Sequence, residues 1–320
     1  MRRPLLAAAL AASACAFGAI AFGQGSLPVV ALLRATGESK VNMQFRQALR
    51  DIGHEDGRTI QVIEYAAGND LERLATLSAR IVSDRPAIVV AMGPAAAKAI
   101  KAATTSIPIV AFTSFPIELG LANSLARPGG NLTGVSLVTT ELDAKRLSLL
   151  GELVPAAKRM AVLRDPAVGS PEHGSQLEAA ARALGITIDV VEARRSDEIA
   201  PALRLAKGRG ADALSVLASP MLNATAGEIA RQALEAGLAS MCQWREMAEV
   251  GCLISYGPSL MDGYRLTATQ MDRVLRGANP AELPIEQPTR FELVVNAKTS
   301  KTLGLRVPLS FVMRADEVIE

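Results

Sequence analysis

Aromatic residues make up only 3% of the 320-residue chain: one Trp, three Tyr and seven Phe. So sparse a set argues against the stacking platforms that bind single-stranded nucleic acid. Net charge is +2 and the basic residues are scattered, so no phosphate-backbone partner is implied and no nucleic acid is expected. Only two histidines, His54 and His173, and three cysteines occur, with no Cys-x-x-Cys spacing. A metal set is not expected, and the sequence asks for no cofactor. G-x-S-x-G, H-E-x-x-H and the P-loop are all missing, so an enzyme is not the expected class. Beyond the N-terminus no segment approaches the ~18 apolar residues that a membrane-spanning helix needs.

What is present is hydrophobic: 49% of the residues, enough for a sizeable core in each of two domains. Residues 1–23 read as a secretory signal peptide. Met1-Arg2-Arg3 starts it, an apolar run follows, and Ala21-Phe22-Gly23 precedes Gln24. Cleavage after Gly23 is expected. A lipoprotein anchored through Cys15, in the weak lipobox Ala12-Ser13-Ala14-Cys15, is the alternative. After cleavage Cys242 and Cys252 remain, and both a disulfide and two buried thiols stay open.

The chain then alternates strand and helix signals. Residues 27–33 read as a strand of near-continuous apolar sequence, as in parallel sheets, and 59–65, 87–92 and 107–112 read as further strands. Phe45, Ala48, Leu49 and Ile52 share a helical face, and Asn69 with Glu72 reads as a capping box. Strands at 159–164, 186–191 and 213–217, with helices between them, repeat the pattern. Strict alternation predicts parallel sheets with helices on both faces.

Between the halves lies Arg127-Pro128-Gly129-Gly130-Asn131, a tight turn, followed by a short strand over 132–137. That strand is read as the first to cross between two lobes, and the crossing as the origin of a cleft. Residues 239–243 and 291–296 are the second and third candidate crossings. The expected division is 26–132 plus 257–288 for the N-terminal lobe and 133–242 plus 292–320 for the C-terminal lobe. Hinges are expected near 131–137, 239–256 and 288–296.

Several stretches carry a resemblance. Ser124-Leu125-Ala126-Arg127-Pro128-Gly129-Gly130-Asn131-Leu132-Thr133-Gly134 resembles a signature of bacterial ABC-transporter substrate-binding proteins of the tryptophan/sugar type. Ser255-Tyr256-Gly257-Pro258, the segment 283–296 and Arg314-Ala315-Asp316-Glu317 are similar too. The resemblance implies a type 1 periplasmic binding protein: an α/β fold of two Rossmann-like lobes with parallel sheets, joined by three crossing segments. It implies an exported, periplasmic, monomeric receptor. Such a receptor captures a small-molecule ligand in the interlobe cleft and delivers it to the ABC permease and ATPase subunits at the inner membrane. A ligand-sensing subunit of a signalling receptor is the alternative, and an enzyme the third. One departure stands out: Phe115-Pro116 occupies a place where the family often has Asp-Pro, so that loop offers no acid for a ligand amine.

In parallel α/β sheets ligands bind beyond the carboxyl ends of the strands. That rule selects Ala35-Thr36-Gly37, Gly93-Pro94-Ala95-Ala96 and Thr113-Ser114-Phe115 in the first half, and Asp165, Ser219, Trp244 and Tyr256 in the second. The amides opening the helix after Gly93 suit a carboxylate. Each residue also has a plain reading: a helix start, a turn or core packing.

Overall fold

The computed structural model describes residues 26–37, 41–137, 140–168 and 171–320. The signal peptide expected at 1–23 and Cys15 lie outside the described residues. The first half runs β1 (Val29–Arg34), α1 (Val41–Asp51), β2 (Gln61–Ala66), α2 (Leu71–Asp84), β3 (Ile88–Met92), α3 (Pro94–Ala103), β4 (Ile109–Thr113) and β5 (Leu132–Ser136). β3 and β4 are apolar at nearly every position and buried throughout. They can therefore lie only inside a sheet covered on both faces. The strand order is β2-β1-β3-β4-β5, with all pairs parallel.

The second half follows with α4 (Thr140–Leu153), β6 (Arg159–Arg164), α5 (Pro171–Ala183), β7 (Thr187–Glu192), α6 (Ile199–Gly208) and β8 (Ala213–Val216). Then come α7 (Pro220–Ala224), α8 (Ala226–Glu235), β9 (Ala239–Cys242), α9 (Arg245–Glu249) and β10 (Ile254–Pro258). Strands β7-β6-β8-β9-β10 lie in the same relative order as the first sheet and are likewise parallel. Next, α10 (Leu260–Leu275) returns to pack on β3, β4 and β5. The chain ends with β11 (Phe291–Asn296), α11 (Ala297–Thr302), α12 (Leu309–Val312) and β12 (Glu317–Ile319). These complete a seven-stranded second sheet in which β11 runs antiparallel to β10, an exception to the all-parallel expectation.

Two of the three passages between lobes fall further along the chain than expected. The strand at 132–136 is the edge strand of the first sheet, so the chain crosses after Leu137 and the N-terminal lobe extends past residue 132. β9, expected as a crossing, is interior: its four residues are buried, and β8 and β10 flank it. The second passage is at Ser259, between β10 and α10. The third immediately precedes β11, where Glu286 extends the edge of β5 through Ser136 N–H to its carbonyl at 2.8 Å. Periodicity identifies a strand but not which sheet it joins, hence the shifts.

The Pro-Gly-Gly turn lies at the start of β5, whereas the cleft lies beyond its end. The two are roughly 17 Å apart, at ~3.3 Å of rise per residue. Its role is architectural. Gly129 and Gly130 take φ of 72° and 71°. Asn131 Nδ2 donates to the carbonyls of Thr104 at 3.1 Å and Ile107 at 2.7 Å. A smaller correction concerns α2: its cap is Asp70, which accepts from the amides of Glu72 and Arg73, while Asn69 takes φ of 69°.

Gly134 shows how closely β5 lies on β4. At φ +144° its missing Cβ would stand 1.9 Å from the carbonyl oxygen of Ala111. Gly134→Ala is expected to destabilise the fold by about 3 kcal/mol or more, the upper range for overpacking. Gly174→Ala, within α5 and with nothing near the added carbon, should gain about 0.5–1 kcal/mol. Urea unfolding of both variants checks the pair; equal effects would contradict this packing.

Candidate ligand-binding cleft

Register alone assembles one wall. Arg34 on β1 pairs with Met92 on β3, and Met92 with Phe112 on β4, so three side chains stand in line where those strands end. In a sheet ordered 2-1-3-4-5, the connections part between the first and third strands, leaving a crevice at their carboxyl ends. The second sheet has the same parting between β6 and β8. The two crevices face each other around a cavity of about 490 Å³.

From the first lobe Thr36, Gly93, Pro94, Thr113 and Ser114 line this cavity; from the second, Ser219 and Trp244 do. Gly93, at φ +95°, caps α3, and Pro94 begins it. The first amides of such a helix have no intrahelical partner and favour a negative group. Phe112 and Tyr264 add rings in contact, with centroids 4.9 Å apart. Tyr264 is placed by Gly263, whose missing Cβ would stand 2.7 Å from Phe112 Cε2.

Other expected residues lie behind the wall or away from it. Ala35, Ala95 and Ala96 pack against or within the first-sheet core. The carbonyl of Gly37 accepts from Arg34 at 2.8 Å. Phe115 is turned away by its left-handed φ of 59°, and its ring lies 6.2 Å from that of His173. The aromatic surface beside Thr113 and Ser114 belongs instead to Phe112. Asp165 also stands behind the wall. Its Oδ2 accepts from the Ser219 hydroxyl at 2.6 Å, while Ser219 Oγ accepts from the amides of Met221 and Leu222 to cap α7. Tyr256 stacks on Phe291 at 6.3 Å and packs in the second-sheet core. Arg314 and Asp316, from the stretch that carries the family resemblance, do not line the cavity: Arg314 meets Glu152, and Asp316 accepts from the amide of Leu293.

The charged groups of the wall come as a surprise. Arg34 is almost fully buried and pairs with Glu64 at 3.1 Å; Arg46 grips the other oxygen of Glu64 at 2.9 Å. Glu246, on a helix not read from the sequence, places a carboxylate on the cavity wall. Gln44 Nε2 donates to Glu246 Oε1 across the cleft at 3.3 Å. The lobes also touch at Gly93, where an added Cβ would come within 3.1 Å of Pro220. Strand-end rules miss Gln44 and Glu246 because both sit on helices. Arg34, Met92 and Phe112 were within reach of those rules, being at strand ends.

Behind the second-lobe wall, Asp143 accepts from Arg146 at 2.6 Å, His173 at 2.8 Å and Gln243 at 3.1 Å. Burial opposes its ionisation, but Arg146 and His173 outweigh this and hold the carboxyl below its usual range. Cys242 and Cys252 are joined by a disulfide. Among the described residues no group of three or more His, Cys, Asp or Glu is placed to hold a metal. No described helix is long and apolar enough to cross a membrane.

This architecture is that of a two-lobed protein with a cavity between facing sheet edges. Residues 26–319 match the model of the ABC transporter substrate binding protein family, and the chain belongs to that family. A tyrosine-binding protein of Clostridioides difficile is 26% identical over 286 residues, covering 88% of this chain and 82% of the relative. The ABC domain of Streptococcus pneumoniae in complex with L-Trp shares the fold with a TM-score of 0.84 and 23% identity, over 92% of this chain and all of that one. A 5-methylthioribose transporter solute binding protein from Thermotoga lettingae, 14% identical with a TM-score of 0.60, covers 90% of this chain and 98% of its own. The fold is that of type 1 periplasmic binding proteins, as the motifs implied.

Burial raises the Glu246 carboxyl above its usual range. Its own amide and Gln44 offset part of the effect, and nearby Glu249 and Glu292 add to it. A raised acid costs nothing below the ordinary glutamate range, where it is protonated folded or unfolded. The cost grows as pH rises through that range. Glu246→Gln should therefore raise the Tm of ligand-free protein at pH 7, with the gain shrinking as pH falls toward 4. Thermal melts across that interval test the sign; a gain that grew on acidification would contradict it.

Proposed function

We propose that the protein is an exported solute receptor that closes on a small molecule and presents it to the permease and ATPase of an ABC importer. It acts by binding alone. The observation that carries this reading is a cavity walled by both lobes, so one ligand can touch both and favour the closed state. A short passage at Ser259, and others beside β5 and before β11, would serve as hinges. Membership of the family and the expected signal peptide support export to the periplasm.

The walls favour a ring-bearing amino acid. Phe112, Trp244 and Tyr264 offer apolar faces, the start of α3 suits a carboxylate, and Glu246 suits an ammonium. The tyrosine-binding relative and the L-Trp complex are in keeping with this class.

Thermal-shift and calorimetric titrations with L-tyrosine, L-tryptophan and their des-amino analogues are the test. A bound ligand at 100 times its Kd adds about 2.7 kcal/mol of stability. At least one of the amino acids should bind and reduce the radius of gyration in X-ray scattering. Glu246→Gln should weaken that amino acid about tenfold or more, within the range for losing a charged hydrogen bond, and leave its des-amino analogue little changed. Stabilising ligands that leave the scattering profile unaltered would overturn closure. Equal losses for both compounds would remove Glu246 as the amine partner.

A further inference from the structure

The disulfide joins residues only 10 apart, and what lies between them is the cavity wall. β9 ends at Cys242. The chain then turns through Gln243 and Trp244, forms α9 and returns to Cys252 just before β10. Trp244, Glu246, Glu249 and Val250, all inside this turn, line the cavity. Both cysteines are fully buried.

The turn has little regular structure of its own. α9 has five residues, too few to be stable as an isolated helix. Inside it Arg245 pairs with Glu249, and the remaining side-chain ties reach outward. Gln243 Nε2 donates to Asp143 and to the carbonyl of Val216, both at 3.1 Å. Arg245 pairs with Glu317 at the sheet edge. Asn296 Nδ2 donates to the carbonyl of Ala248 at 2.8 Å. Closing the ends of so short a loop removes most of its alternative conformations, and a wall organised before the ligand arrives loses less entropy on binding.

We propose that the Cys242–Cys252 disulfide is a positioning element of the binding site, holding residues 243–251 in the ligand-ready arrangement while the cleft is empty. This inference rests on the reading of the cavity as the ligand site. Trp244 is the chain's one tryptophan, so it reports on the turn without any label.

The test compares the wild type with the C242A/C252A double variant at a temperature well below both melting points. Amide hydrogen exchange and acrylamide quenching of Trp244 are measured without ligand, and L-tyrosine affinity by calorimetry. The proposal expects exchange in 243–251 to rise at least tenfold, with β6 and β8 unchanged. It also expects stronger quenching and L-tyrosine binding weakened about fivefold or more. Unchanged exchange in the turn, or exchange raised across the whole second lobe, overturns it, because the bond would then be inert or a general staple. Unchanged affinity in a loosened turn overturns it as well. If the alanine pair does not fold, C242S/C252S, closer in size to the thiols, takes its place in the same measurements. Failure of wild-type protein to bind L-tyrosine counts against the ligand class proposed above; turn exchange and quenching still decide the role of the disulfide.

Discussion

Because β1, β3 and β4 pair in parallel, every connection between them must run back over a face of the sheet. All their carboxyl ends then fall on one edge. With the order β2-β1-β3-β4-β5, the returning helices divide between the two faces, and the backbone at the parting is covered by neither group. The second half of the chain obeys the same rule with β7-β6-β8-β9-β10. Two such edges turned toward each other enclose a cavity by construction. The site is thus a consequence of strand order, and its residues decorate a crevice that the topology already provides.

The means by which the lobes are joined complements this. In the second lobe one buried polar network ties α4, just beyond the first passage, to β9 and β10. Arg146 lies at its centre, pairing with Asp143 and donating through Nε to the carbonyl of Tyr256 at 2.6 Å. A buried ion pair of this kind contributes little net stability against an apolar substitute, yet losing one partner leaves the other charge stranded. Here it joins, within the second lobe, the helix that follows the first passage to the strand that precedes the second. In the first lobe, the ladder between Glu286 and β5 secures the third passage. Firm lobes joined by short connections are the mechanical requirement for hinge closure.

The cavity's chemistry is amphipathic for identifiable reasons. Arg34 brings a positive charge to the wall, but Glu64 is its partner, and Arg46 shares that carboxylate. Glu246 brings a negative charge, and among the described residues the neutral amide of Gln44 reaches it across the cleft. The same cavity is lined by three of the chain's few aromatic side chains, Phe112, Trp244 and Tyr264. Aromatics too scarce to build a nucleic-acid platform are here concentrated around one small space.

Much of this is legible in the sequence alone. The near-continuous apolar runs and their alternation with helices identify two parallel α/β halves. The strand-end rule leads to Thr36, Gly93, Thr113, Ser114, Ser219 and Trp244, all of which line the cavity. These readings work because they depend on local periodicity and on a rule of sheet chemistry. Other features are set by contacts between segments distant in sequence. Gln44 and Glu246 meet only because one lobe closes on the other. Phe115 leaves the wall through a single left-handed residue. β9 proves interior rather than crossing because β8 and β10 are there to pair with it. The sequence by itself determined most of the elements, the class of fold and the sheet edge that lines the cavity. Tertiary structure alone decided which side chains face that site, since facing is a relation between surfaces that are separate in the chain until packing brings them together.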